Sequence, residues 1–252
     1  MIYKGFAYIY DHLMKDAPYD RWVGFIQDSI SKYHKGASKL LDVACGTGEI
    51  AVSLAKNNLE VTGVDLSEDM LTVAQSKAEK NKVNLLFLQQ DMRELDGFSE
   101  LFDVVTICCD SLNYLETKED VMATFHSVFE QLKEDGLFIF DVHSIHKIHH
   151  VFANNTFADQ DEEVSFIWNS FLGDEENSIE HDMTFFVRHN QLYERYDEIH
   201  YQRTYSIEEY ISWLKASSFQ VLNICSDFEF ERQPHSQAER IFFICQKTKV
   251  NS

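Results

Sequence analysis

Apolar and polar positions along the chain change period in a regular way. Residues 19–35 place Trp22, Val23, Phe25, Ile26, Ile30 and Tyr33 at helical spacing, which predicts an amphipathic helix. A compact apolar run, 39–44, leads into Cys45-Gly46-Thr47-Gly48 and then a helix-like stretch, 49–57. A second short β-branched run, 60–64, ends at Asp65, and Ser67 is placed to cap a helix through about Lys80. Strands are predicted at 84–88, 102–108 and 136–141. Between the last two, Thr117 with Asp120 three residues on opens a helix carrying Met122, Phe125, Val128, Phe129 and Leu132. Strands alternating with helices imply right-handed crossovers and a mostly parallel sheet covered on both faces.

The rhythm breaks after Asp141. Residues 163–203 alternate with period two: Val164, Phe166 and Trp168, then Ile179, His181, Met183 and Phe185, then 193–201, with Gly173-Asp174 and His189-Asn190 as turns. Three antiparallel strands are expected there. Ser206 and Glu209 form a capping box for a helix through Ala216, and 219–225 and 241–246 read as strands joined by a polar loop. The expected organisation is an α/β body of 1–142 and 204–252, interrupted by an antiparallel β subdomain, 143–203, that lids an acceptor pocket or forms a homodimer interface.

Composition narrows the function. The 252 residues are 44% hydrophobic with only two prolines, and no apolar run approaches the ~20 residues of a membrane span. The first fifteen residues lack the pattern of a secretory signal. The five cysteines form no zinc-type pair of pairs and read as reduced thiols in a cytoplasmic protein. With 42 acidic against 22 basic residues, the net charge is −20. Such a surface repels a phosphate backbone, so no nucleic-acid partner and no membrane partner are expected, and a small molecule is favoured.

The candidate chemistry lies at the strand ends. In Asp42-Val43-Ala44-Cys45-Gly46-Thr47-Gly48 the small residues permit a sharp turn and a close ligand approach, and the following helix offers unpaired N–H groups. The spacing does not fit the G-x-G-x-x-G dinucleotide fingerprint, since Ala51 continues no such pattern. Asp65 ends the second strand 19 residues after Gly46, where a carboxylate can accept from ribose hydroxyls. Gln90-Asp91-Met92 follows the third strand, where an Asp can take an adenine amino group.

Together with Asp65-Leu66-Ser67-Glu68-Asp69-Met70-Leu71, Phe102-Asp103-Val104-Val105 and residues 136–141, these motifs resemble those of class I S-adenosylmethionine-dependent methyltransferases. The resemblance covers about 40–145 specifically. Tyr8, Tyr10, Asp11, Leu13, Met14, Tyr19 and Trp22 are similar to small bacterial methyltransferases of unassigned substrate, and to nucleotide-sugar N,N-dimethyltransferases and glycine N-methyltransferases. Ala44 stands where many members have glycine. The resemblance implies a Rossmann-like seven-stranded sheet and S-adenosylmethionine as cofactor. By it, Asp42, Ala44, Cys45 and Gly46 hold the amino-acid end, and Asp65 the ribose, with Leu66 and Met70 against the adenosine. Gln90, Asp91 and the Met92 backbone read the adenine, and Cys109 and Asp110 lie under the methionine moiety, Cys109 through its carbonyl. Tyr10, Tyr19 and Trp22 close over the sulfonium, where ring faces attract a cation, with ordinary core packing as the alternative for these rings.

Methyl transfer to N or O of a small-molecule acceptor is the expected reaction; the alternative is a non-catalytic S-adenosylmethionine-binding regulator or scaffold. A hydroxyl or protonated amine acceptor needs a base, and His143 is the first candidate, followed by Tyr10 and Asp110. His143, His146 and His150 would share a helical face, but the displacement needs no Lewis acid and no metal is expected. Arg240 and the acidic loop 226–240 (Asp227, Glu229, Glu231) are candidates to border the acceptor.

Overall fold

The computed structural model describes Ala7, residues 9–11 and residues 14–248; Tyr8 and Leu13 of the N-terminal motif lie outside the described residues. Five helices, α1 (Tyr19–Tyr33), α2 (Glu49–Lys56), α3 (Glu68–Asn81), α4 (Lys118–Gln131) and α5 (Ile207–Ala216), flank a seven-stranded sheet. Its strands are β1 (Lys39–Val43), β2 (Glu60–Asp65), β3 (Leu86–Gln89), β4 (Phe102–Ile107), β5 (Leu132–His143), β10 (Phe219–Ser226) and β11 (Arg240–Lys247). A second sheet holds β6 (Asn155–Gln160), β7 (Val164–Leu172), β8 (Ser178–His189) and β9 (Leu192–Arg203). Among the described residues, no helix is long and apolar enough to cross a membrane.

The large sheet runs β10-β11-β5-β4-β1-β2-β3. β1 to β5 pair in parallel, while β11 is antiparallel to both β5 and β10. Every residue of β4 is buried, as a strand covered on both faces must be. Alternate side chains divide the core. Leu40 packs with Ile26 of α1 and Leu54 of α2, whereas Leu41 packs with Phe125 of α4 and Tyr210 of α5. The helix starts are capped as their sequences predict: Ser67 and Thr117 accept from the third residue on, and Ser206–Glu209 makes a full capping box.

Strand order reverses between β1 and β4, which opens a crevice at their carboxyl ends, the usual ligand position in such sheets. Two differences from the sequence reading stand out. β5 begins at Leu132, because Lys133, Glu134 and Asp135 carry the strand beyond its apolar run. The insertion has four strands, not three. β6 is an edge strand with five of its six residues exposed, so no alternation marks it. In β9 the half-buried to buried row Tyr196, Glu198, His200 and Gln202 faces inward, and Ile199 and Tyr201 face solvent.

Candidate functional site

A cleft of about 740 Å³ lies along the carboxyl ends of β1 to β4. At the end of β1, the buried Asp42 carboxylate accepts from Thr106 Oγ1 at 2.8 Å. Burial pushes the Asp42 carboxyl up to about 7; Thr106 opposes the shift and Asp65 adds to it. The chain then turns through Ala44, Gly46 and Gly48, with φ of 54°, 54° and 77°. Gly48 is required twice over, since a Cβ there would sit 2.9 Å from Ala74 Cβ.

Asp65 joins this corner to the next. Its Oδ2 accepts from the Gly46 N–H at 2.8 Å and its Oδ1 from the Ser67 N–H at 2.9 Å. Burial raises its carboxyl above the ordinary value, partly offset by these donors. Farther along, Gln90 clamps the loop backbone: Nε2 donates to the Asp96 carbonyl at 2.9 Å and Oε1 accepts from the Asp96 N–H at 3.2 Å. Both Asp91 oxygens accept from Arg93, which also donates to Asp120 at 2.9 Å.

At the β4 end, Cys109 and Asp110 hold left-handed backbone at φ 57° and 54°. Their N–H groups donate to the two oxygens of Asp141, each at 3.0 Å. Trp22 Nε1 also donates to Asp141, at 2.8 Å. Arg240 contacts Asp141 through Nη1, donates through Nη2 to Asp110 at 2.8 Å, and stacks its guanidinium 4.8 Å from the Trp22 ring centre. Burial would raise the Asp110 carboxyl, but His143 and Arg240 outweigh it and hold it well below the usual carboxylate range.

The methyltransferase domain family matches residues 40–136. A Bacillus subtilis protein named "Putative methyltransferase YqeM" is 54% identical over 99% of both chains. The crystal structure of an S-adenosylmethionine-dependent methyltransferase from Clostridium acetobutylicum superposes with a TM-score of 0.88 at 32% identity, over 97% of this chain and 98% of that one. The chain belongs to the class I S-adenosylmethionine-dependent methyltransferases. CalS10 of Micromonospora echinaspora, an amino pentose methyltransferase solved with S-adenosylmethionine bound, shares the fold (TM-score 0.76, 98% and 99% covered) at 18% identity.

The methyltransferase brings most of the expected site residues into one cleft: Tyr10, Tyr19, Asp42, Ala44, Cys45, Gly46, Asp65, Leu66, Met70, Gln90, Asp91, Met92 and Cys109 all line it. Trp22, Asp110 and His143 do not. Trp22 is a buried prop under Arg240 and Asp141, so the cation on its ring is a guanidinium. Asp110 turns away to Arg240, His143 and Gln202, the last at 3.1 Å. His143 is 4% exposed, with Nε2 3.2 Å from Asp110, and burial lowers its pKa despite that carboxylate. The ring therefore lies behind the cleft wall and not on its surface. None of the loop 226–240 lines the cleft either; Asp227 instead accepts the Arg240 and Glu239 N–H groups, at 3.0 and 3.1 Å.

His146 and His150 lie ring to ring at 4.8 Å while His143 points inward. Among the described residues, no group of three His, Cys, Asp or Glu side chains is arranged to hold a metal ion. Thr106, the buried role of Arg240 and the Tyr114–His200 pair at the cleft wall were not among the features expected from the sequence. Thr106 left a signal, a lone hydroxyl in the apolar run 102–108.

The Asp42 environment gives a stability prediction. Its folded pKa of about 7 exceeds the unfolded value. The folded ligand-free protein therefore binds more protons between pH 4 and 7, and stability from this group is lost as pH rises through 7. Asp42→Asn is expected to raise the melting temperature at pH 8 and to flatten the fall between pH 4 and 7. Thermal unfolding across that range checks it; an unchanged pH slope contradicts it.

Proposed function

We propose that this methyltransferase transfers the methyl group of S-adenosylmethionine to a nitrogen or oxygen of a small-molecule acceptor held at the β4 end of the cleft. The observation that carries the reading is the set of two strand-end carboxylates, Asp42 and Asp65, flanking a left-handed glycine corner in one cleft. The residues present fit the cofactor. Among the described residues, nothing stands within 4 Å of where a Gly46 Cβ would be, so the corner leaves room for a ligand against the backbone. Asp65 would accept from the ribose hydroxyls, its position fixed by the Gly46 and Ser67 N–H groups. Asp42 would face the ammonium of the amino-acid end, and Leu66, Met70 and Met92 would cover the adenosine. Gln90 and Asp91 would border the adenine, where Asp91 must share its oxygens with Arg93.

The cofactor supplies an electrophilic methyl on a sulfonium. The chain supplies position: an acceptor fixed in a pocket poor in water gains most of its rate from orientation. Tyr10 and Tyr19, hydrogen-bonded to each other, present aromatic surface to the cleft, a favourable lining for a sulfonium. The net charge of −20 favours a small acceptor over a phosphate polymer. All five cysteines are unpaired, which supports a cytoplasmic location.

Tritium transfer from methyl-labelled S-adenosylmethionine into the small-molecule fraction of a cell extract tests the reading. Wild type is expected to label that fraction and Asp65→Ala to match the blank. Label confined to protein or RNA overturns the choice of acceptor class. Binding should also depend on pH. A cofactor ammonium favours ionised Asp42, so S-adenosylhomocysteine affinity is expected to fall up to about tenfold per pH unit below 7, and calorimetry at pH 6 and 8 checks this.

A further inference from the structure

Among the described residues of the segment 143–203, His200 alone lines the cleft. It comes from the inward row of β9, and its Nδ1 lies 2.9 Å from the hydroxyl of Tyr114. Tyr114 closes the single turn Ser111–Tyr114 that follows β4, on the side of the cleft where Cys109 and Ser111 lie. The two rings meet edge to face, with centres 5.7 Å apart. This is a contact between the second sheet and the turn that follows β4, made at the cleft wall by two groups that can pass a proton.

We propose that Tyr114 is the catalytic residue that takes the proton of the acceptor, and that His200 positions its hydroxyl and receives the proton it gives up. The proposal rests on the reading above that the acceptor is a nitrogen or oxygen, and it specifies that this atom loses a proton on methylation. As the acceptor lone pair forms its bond to the methyl carbon and the carbon–sulfur bond breaks, the acceptor proton moves to Tyr114 Oη. The Tyr114 proton moves to His200 Nδ1. The positive charge that began on sulfur ends on imidazolium, and no further reactant is needed.

The surroundings support both roles. Tyr114 is 47% exposed at the cleft wall, yet desolvation around its hydroxyl, with Asp110, Tyr10 and Glu198 adding to it, raises the phenol above its ordinary range, so the hydroxyl keeps its proton at rest. Burial lowers His200 below the ordinary histidine value, so the ring is neutral and able to accept. The titratable groups facing the pair are His181 across from His200 on β8, Glu198 on its own strand face, Tyr10 from the N-terminal segment and Asp110 after β4. His181 is itself held down to about 4 by burial, and so adds no positive charge near neutrality. The other expected bases are committed elsewhere: His143 to Asp110 and Tyr10 to Tyr19.

The test reads the imidazole directly and needs no acceptor. In protein with ¹⁵N-labelled histidine, saturated with S-adenosylhomocysteine, the His200 signals are assigned by their loss in His200→Gln. His200 is expected to titrate below 6.5 with its proton on Nε2. Tyr114→Phe removes a donor to the neutral ring and should raise that midpoint by about one pH unit. A His200 with its proton on Nδ1, or a midpoint unmoved by Tyr114→Phe, overturns the proposal. Labelled-methyl transfer into serial dilutions of extract supplies the kinetic arm. Tyr114→Phe should lower the maximal rate by roughly 100-fold with S-adenosylhomocysteine affinity unchanged, and His200→Gln should also abolish the acid limb of the maximal rate measured at saturating S-adenosylmethionine, where the titration of Asp42 no longer limits cofactor binding. Wild-type rates and profiles in both variants likewise overturn it. Failure of wild type to bind S-adenosylhomocysteine would instead sink the assignment of the cleft, so the two failures are told apart.

Discussion

Arg240→Met is expected to destabilise the folded protein by about 3–5 kcal/mol, the usual cost of removing one partner from a buried ion pair. Arg240 is 12% exposed, Asp141 fully buried and Asp110 21% exposed. Without the guanidinium, two carboxylates face each other in a poorly solvated space, and Trp22 loses the cation on its ring. For a domain of this size the loss corresponds to a fall of about 10 °C in melting temperature. The consequence reaches the cleft, because Asp141 also fixes the left-handed backbone of Cys109 and Asp110 through their N–H groups. The double variant Arg240→Met/Asp110→Asn removes one stranded charge and should recover part of the loss. Thermal unfolding of the two variants decides: a single variant as stable as wild type would show that Arg240 is not holding these carboxylates.

The second large effect is at Asp65. Asp65→Ala is expected to weaken S-adenosylhomocysteine binding by roughly 100- to 1,000-fold, the loss of two hydrogen bonds to a charged acceptor at about 1.5–3 kcal/mol each, partly compensated by water. The side chain also anchors the Gly46 and Ser67 N–H groups, so Asp65→Asn serves as a milder control. It retains an acceptor oxygen for one of those donors and should bind more tightly than alanine. Calorimetry at one pH compares the three. Equal affinities would remove Asp65 from the site.

These two residues mark the limits of what the sequence disclosed. Asp65 was legible because its position is local: a β-branched run ends there, at a fixed distance from a glycine corner, and register in a parallel sheet carries both to the same edge. Asp42, Gly46 and Gln90 were legible for the same reason. Arg240 was not, because its partners are 99 and 130 residues away. Nothing at the start of an apolar strand announces that its first residue pairs opposite His143 and reaches under a tryptophan. His143 misled in the opposite way. A histidine two positions past a strand end resembles a base at a cleft rim, but β5 continues through it and turns its ring into the protein. His200 stood in a recognisable alternating row; which of the two rows faced inward was settled only by packing, with Gln202 seated on Asp110 and Tyr196 among the apolar side chains beneath the second sheet.

A crystal structure with S-adenosylhomocysteine tests most directly whether the adenosyl group lies across the carboxyl ends of β1 to β3. Ribose hydroxyls are expected on the Asp65 carboxylate, the amino-acid end against Ala44 to Gly46 beside Asp42, and the sulfur toward Tyr10 and Tyr19. Density for the ligand elsewhere, or ribose oxygens turned away from Asp65, would contradict that placement.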